Sequence, residues 1–290
     1  MLRYILIAIA TFAYSAQAET IQDNVRGMKF AYEVYSPNTS DPVPVIISLH
    51  GSSRDGQYLS NGIARTDEYT TRIIKEGNKR GFAVVAIDAF YQSNLQPHNK
   101  TMFPAAWRMA VKIKSILEQN PNYTDFYLTG FSYGAGQTMS VNDARLTYKK
   151  QPWKAVAGAA PGCNRFSEPV KFDYPIAIFK GEKDHYSPRA CKFYANMLTK
   201  ANNDVTFEII PKVNHFFSTD EGIVEGKAQN GCTDNPIIRY PDGSMKFLDG
   251  TSISKRQSRS ACLTNQSGKG QDRLKLDIVV KKVVTFFEKM

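Results

Sequence analysis

The chain reads as an α/β protein with a mostly parallel central sheet and helices on both faces. Three observations predict this. Short apolar runs recur at Val43–Leu49, Phe82–Ile87, Phe126–Thr129, Ala155–Ala160, Ile176–Phe179 and Val205–Ile210. Helix-compatible segments lie among them at Asn61–Arg80, Pro104–Gln119, Ala135–Leu146 and Pro188–Lys200. Most of these runs, Val43–Leu49 above all, are apolar on both faces, as strands covered on both sides must be. Strands alternating with helices are what parallel crossovers demand.

Taken in order, the chain begins with a segment outside the fold. Met1-Leu2-Arg3 gives a positive start, Tyr4–Ala13 an apolar core, and Ala16-Gln17-Ala18 a small-x-small cleavage site. This reads as a secretory signal peptide over 1–18, leaving Glu19 as the first mature residue. Its apolar run is too short to span a bilayer comfortably, so no stable membrane anchor is expected. The mature chain is expected to be secreted or periplasmic.

Met28–Tyr35 alternates apolar and polar residues, as an early half-exposed strand does. A turn-rich loop, Ser36–Pro42, precedes the first fully apolar run, and Gly81 stops the helix expected from Asn61. Lys275–Lys289 reads as a closing amphipathic helix. One domain over 19–290 is expected. Residues 218–271 break the rhythm with many Gly, Ser, Asn, Thr and charged residues. They are too many for an ordinary connection and read as an insertion near the active-site face.

The four cysteines are Cys163, Cys191, Cys232 and Cys262. An even count in an exported protein favours disulfides, and four cysteines allow three pairings. Cys163–Cys191 and Cys232–Cys262 are favoured, because each joins segments that the fold should bring together; the second would tie down the insertion. No C-x-x-C pair is present, so no metal is expected. The net charge is +10, and +9 once Arg3 is removed. The charges are dispersed, and the patch Lys255-Arg256-Gln257-Ser258-Arg259 is short and lacks aromatics, so no nucleic-acid partner is expected.

The chemistry centres on Gly130-Phe131-Ser132-Tyr133-Gly134, a G-x-S-x-G pattern between an apolar run and a helix-compatible run. In that setting the serine sits on a strained turn, and the flanking glycines allow a close backbone approach. A serine nucleophile needs a base and a group to orient it. In hydrolases built on a parallel sheet the chain order is Ser, then acid, then His. His50 and His98 precede Ser132, and His185 adjoins the best acid, which leaves His215. The acid is Asp184, in the loop after Ile176–Phe179 and before a helix that Pro188 can start; Glu182 is its rival. Asp88 ends a strand and reads as structural or pocket-lining. The oxyanion is expected to meet the N–H groups of Tyr133 and Ser52, with Ser53 as alternative. His50 is then a packing residue. Of the many aromatics, Tyr133 and Phe216 are placed at the pocket by adjacency.

Together these residues resemble an α/β-hydrolase of the exported dienelactone-hydrolase-like group. The matching motifs are Leu49-His50-Gly51-Ser52, Gly130–Ala135, Ala160-Pro161-Gly162-Cys163, Gly181–Pro188 with Cys191, and Asn214-His215-Phe216. The resemblance implies a Ser132–Asp184–His215 triad, ester hydrolysis without a cofactor, and a Cys163–Cys191 bridge. The namesake enzymes use a cysteine nucleophile where this chain has Ser132. The expected partner is a small-molecule or polymeric ester. Peptide or polyester cleavage and acyl transfer remain open on the same triad, as does a non-catalytic binding module.

Overall fold

A computed structural model describes residues 19–91, 103–143, 153–164, 170–217, 226–229, 232, 234–258, 261, 263–266 and 273–290. The expected signal peptide and Cys262 lie outside the described residues, so the expected Cys232–Cys262 pairing does too.

In chain order the strands and helices are β1 (Ile21–Val25), β2 (Met28–Tyr35), β3 (Val43–Leu49), α1 (Glu68–Lys79), β4 (Ala83–Asp88) and α2 (Ala106–Leu117). There follow β5 (Tyr123–Phe131), α3 (Tyr133–Ser140), β6 (Ala155–Ala159), β7 (Ile176–Gly181), α4 (Pro188–Lys200) and β8 (Val205–Ile210). The chain closes with β9 (Gly226–Gln229), β10 (Ile237–Arg239), β11 (Met245–Phe247), α5 (Lys255–Ser258), β12 (Leu263–Gln266) and α6 (Arg273–Glu288).

The main sheet has eight strands in the order β1-β2-β4-β3-β5-β6-β7-β8. The pairs β1–β2 and β2–β4 are antiparallel, and the other five are parallel. Side chains alternate across it with the period of two that strands impose. Val45, Ile47 and Leu49 of β3 face the core shared with α2 and α4, whereas Ile46 faces the core of α1 and α6. Helices thus cover both faces, as the alternation of runs requires.

Three differences from the sequence expectation have local causes. β1 is too polar to read as a strand, and it forms because β2 offers it an edge. The first helix starts at Glu68 rather than Asn61. Asp67 caps it, accepting from Thr70 N, and Asn61 Oδ1 holds a turn by accepting from the N–H groups of Ile63 and Ala64. The helix expected from Ala135 to Leu146 runs from Tyr133 to Ser140, and the next residues turn inward. There Asn142 is buried and accepts from the Tyr174 hydroxyl at 3.1 Å. Residues 144–146 lie outside the described residues.

The insertion holds short antiparallel pairs, β10–β11 and β9–β12. Ile237 and Met245 form its own small core. It attaches to the main body where Arg239 N donates to Asn164 O at 2.9 Å and Arg189 Nη1 donates to Asp234 O. A Cys163–Cys191 disulfide lies beside both contacts and joins the loop after β6 to α4.

Candidate functional site

The C-terminal ends of β3, β5, β7 and β8 bring the expected residues to one place. Ser132 is the only residue between β5 and α3, with φ 51° and ψ −111°. Positive φ is uncommon for a residue with a Cβ and costs about 1–3 kcal/mol, which the surrounding fold must offset. The glycines show how tight the turn is. A Cβ on Gly130 would meet the Gly134 carbonyl carbon at 2.5 Å, and one on Gly134 would meet Leu49 O at 2.0 Å. The second glycine therefore answers mainly to the end of β3, not to Gly130 alone.

Ser132 Oγ lies 2.7 Å from His215 Nε2, and His215 Nδ1 lies 2.9 Å from Asp184 Oδ2. His215 sits in the turn after β8, and Asp184 in the turn after β7. The two turns are sewn together. Lys183 N donates to Val213 O, Glu182 N donates to Ile210 O, and Glu182 Oε2 accepts from Lys212 N. That last bond occupies the rival carboxylate away from the histidine. Gly181 permits the approach, since a Cβ there would meet Val213 O at 2.8 Å.

Asp184 is 1% exposed. Burial pushes its carboxyl up, but His215 and Lys180 together outweigh burial and hold it well below the usual carboxylate range. Lys180 was not singled out in the sequence. Its buried Nζ donates to Asp184 Oδ2 at 2.7 Å and to Pro161 O at 2.8 Å. The signal was present: Lys180 follows Ile176 and Ile178 at the period of two, so a lysine faces inward on an otherwise apolar strand. Burial pushes its ammonium down, and Asp184 opposes that.

His185 is not part of the hydrogen-bonded chain. Its ring centroid lies 5.0 Å from that of His215 and 5.3 Å from that of Phe216, and its buried Nε2 has no partner. Burial, then the neighbouring His215, lowers its pKa to about 3, so it is neutral at ordinary pH.

On the opposite side of Ser132 lies the loop after β3. A Cβ on Gly51 would meet Phe131 Cδ1 at 3.2 Å, which puts the backbone beside Ser52 close to the Ser132 turn. Ser52 and Tyr133, the expected oxyanion donors, therefore flank the same turn; Ser53 turns its hydroxyl to Asp55. Two groups fix this loop. His50 Nε2 accepts from Ala89 N at 3.0 Å, so Nδ1 carries the proton and donates to Gly51 O at 2.6 Å. Burial holds this imidazole neutral, so its 3.7 Å approach to Asp88 is not an ion pair. The second group is Asp67, which receives Gly51 N at 2.5 Å on Oδ2 and Thr70 N at 2.8 Å on Oδ1. One side chain thus caps α1 and anchors the loop. Sequence reading missed it because its position fell inside the expected helix.

Asp88 ties the next loop to β4. It accepts from Arg54 Nη2, Arg65 N and Phe90 N, a structural role. Beyond it, the Tyr133 ring contacts Phe90 at 5.0 Å and Phe103 at 5.2 Å between centroids.

Among the described residues, Asp184, His185 and His215 form the one group that could offer three metal ligand atoms. Asp184 Oδ2 and His215 Nδ1 are hydrogen-bonded to each other, and the Lys180 ammonium sits on the same Asp184 oxygen. That donor set suits proton transfer better than a cation.

No protein-family model and no curated protein sequence matches the chain. Solved structures of Thermogutta terrifontis esterase 2 share its architecture. The form phosphoramylated by tabun aligns at a TM-score of 0.53 and 15% identity, over 71% of this chain and 88% of that one. The paraoxon-phosphorylated form gives 0.53 at 16%, over 71% and 87%. The butyrate-bound form gives 0.53 at 15%, over 71% and 88%. At such identity the likeness speaks for the fold alone: the chain has the α/β-hydrolase fold.

Proposed function

We propose that the chain is an exported serine hydrolase that cleaves carboxylic esters, related to the dienelactone-hydrolase-like group. The observation that carries this reading is the continuous hydrogen-bonded path from Ser132 Oγ through His215 to Asp184, with the serine on a strained turn. As Oγ attacks the ester carbonyl carbon, His215 Nε2 takes the hydroxyl proton. Asp184 holds the Nδ1–H tautomer and stabilises the imidazolium without itself being protonated. The N–H groups of Ser52 and Tyr133 receive the oxyanion. The imidazolium returns its proton to the departing alcohol. Water then loses a proton to His215 as it attacks the acyl carbon, and His215 returns that proton to Ser132 Oγ as the acid departs.

The Cys163–Cys191 bridge supports the export reading, since disulfides persist in oxidising compartments. A substrate with a short acyl group is the first choice, by analogy with the butyrate-bound form of the Thermogutta esterase. The test compares wild type with Ser132→Ala for labelling by a fluorophosphonate and for turnover of esters of graded acyl length, aminoacyl amides and polyester films. Labelling and ester turnover in the wild type alone are expected. A folded, disulfide-intact wild type that resists the probe overturns the reading. Amide or film turnover above that of simple esters moves the substrate class.

A further inference from the structure

We propose that Lys180 is a positioning residue for the triad acid: its ammonium aims the Asp184 carboxylate at His215 and offsets part of that carboxylate's charge. The inference rests on the serine-hydrolase reading above and adds a residue to it.

The geometry is specific. Asp184 Oδ2 accepts at once from His215 Nδ1 at 2.9 Å and from Lys180 Nζ at 2.7 Å. Asp184 Oδ1 accepts from Tyr186 N at 2.8 Å. Three donors from three directions fix the plane of the carboxylate. Lys180 is itself held, because a second N–H goes to Pro161 O at 2.8 Å and the ammonium lies 5.9 Å from the Tyr186 ring centroid. Neither Lys180 nor Asp184 has side-chain exposure to solvent. A long cation buried here for packing alone would be an expensive choice, since a methionine fills the same volume without a charge to desolvate.

The charge has a kinetic consequence. The groups facing Asp184 are Lys180 on β7, His185 and Tyr186 on the turn that follows, and His215 on the turn after β8. His185 is held neutral. The Lys180 ammonium, which burial pushes down and the 2.7 Å contact with Asp184 Oδ2 opposes, is the cation that this carboxylate holds. When the Ser132 proton moves to Nε2, the resulting imidazolium feels Asp184 through a carboxylate already half-satisfied by the ammonium. Removing the ammonium leaves the carboxylate uncompensated. It then favours the protonated base more strongly, and activity fails at a higher pH on the acidic side.

The experiment uses the disulfide-intact chain and reads both the turnover of a short ester and the rate of Ser132 labelling by a fluorophosphonate across pH. Lys180→Met is expected to lower kcat by about 10- to 100-fold with KM nearly unchanged, and to move the acidic limb of both profiles to higher pH. Lys180→Gln keeps a donor but no charge, so it should recover part of kcat while keeping the moved limb. In an Asp184→Asn background, Lys180→Met should cause no further loss, because the lysine acts through that carboxylate. Unchanged limbs in the two single variants, or a full additional loss in the double variant, overturn the inference while wild-type labelling leaves the hydrolase reading standing. If neither single variant folds, Lys180 belongs to folding and the inference falls. A wild type that the probe does not label removes both.

Discussion

Two buried carboxylates flank the Ser132 turn, and the fold treats them differently. Asp184 faces an ammonium and an imidazole and is held ionised. Asp67 faces neutral donors, chiefly the N–H groups of Gly51 and Thr70, and burial pushes it up to about 7. Both are 1% exposed, so burial alone does not decide the charge. What decides it is which partners arrive within hydrogen-bond distance. On the Asp184 side these are an ammonium and an imidazole. On the Asp67 side they are backbone amides, whose pull on the carboxylate is too weak to offset burial and the nearby Asp55. One acid is suited to stabilising a transient charge, the other to holding the loop that carries Ser52.

The largest effect is expected at Asp184. Asp184→Asn should lower kcat by about 10⁴-fold with little change in KM, because the amide can no longer enforce the Nδ1–H tautomer. Steady-state turnover of a short ester measures it. A loss under tenfold would detach Asp184 from the chemistry.

Asp67→Ala should act through geometry. It frees Gly51 N and removes the cap of α1. Unfolding in urea should show a loss of about 1–2 kcal/mol. Turnover should fall by about 10-fold or more through a misplaced oxyanion donor. Full activity would separate the loop from the Asp67 anchor.

The pH dependence sharpens the contrast. The folded value of Asp67, about 7, lies above its ordinary 3.8. Between those values the native state keeps a proton that the unfolded chain has released. Stability from this group is therefore greatest at low pH, declines as pH rises toward 7, and is level above it. The full decline is on the order of 4 kcal/mol. Asp67→Asn should lack it, so the difference in urea midpoint between wild type and variant should change sign or shrink across that window. Asp184 works the other way. Its folded value lies below 3.8, so its contribution is present above that pH and is lost on acidification below it.

The smallest effect is expected at His185. It is neutral, and its Nε2 has no partner. His185→Phe should keep the ring contacts with Phe216 and leave kcat/KM within about threefold of wild type. A larger loss, or a changed pH profile, would bring the second imidazole into the proton path.

The sheet was legible because strands covered on both faces are locally apolar. Val45–Leu49 and Ala83–Ile87 carry that pattern within themselves. The approach of Ser132, Asp184 and His215 was legible because each follows a strand, and a parallel sheet puts the ends of its strands together. The strands inside the insertion were not: β10 and β11 have three residues each, too few for periodicity to register. Their pairing depends on contacts that the local sequence does not encode.

Residue type and spacing alone set the run of elements from β2 to β8, the closing helix α6 and the strained position of Ser132. Those features rest on residue type and spacing along a few turns or a single strand. That Lys180 meets Asp184, that Asp67 holds Gly51, and that the two acids shift in opposite directions from the ordinary carboxylate value came from tertiary contacts. A buried group titrates according to the charges and donors a few ångströms away, and here several of those arrive from other strands and loops.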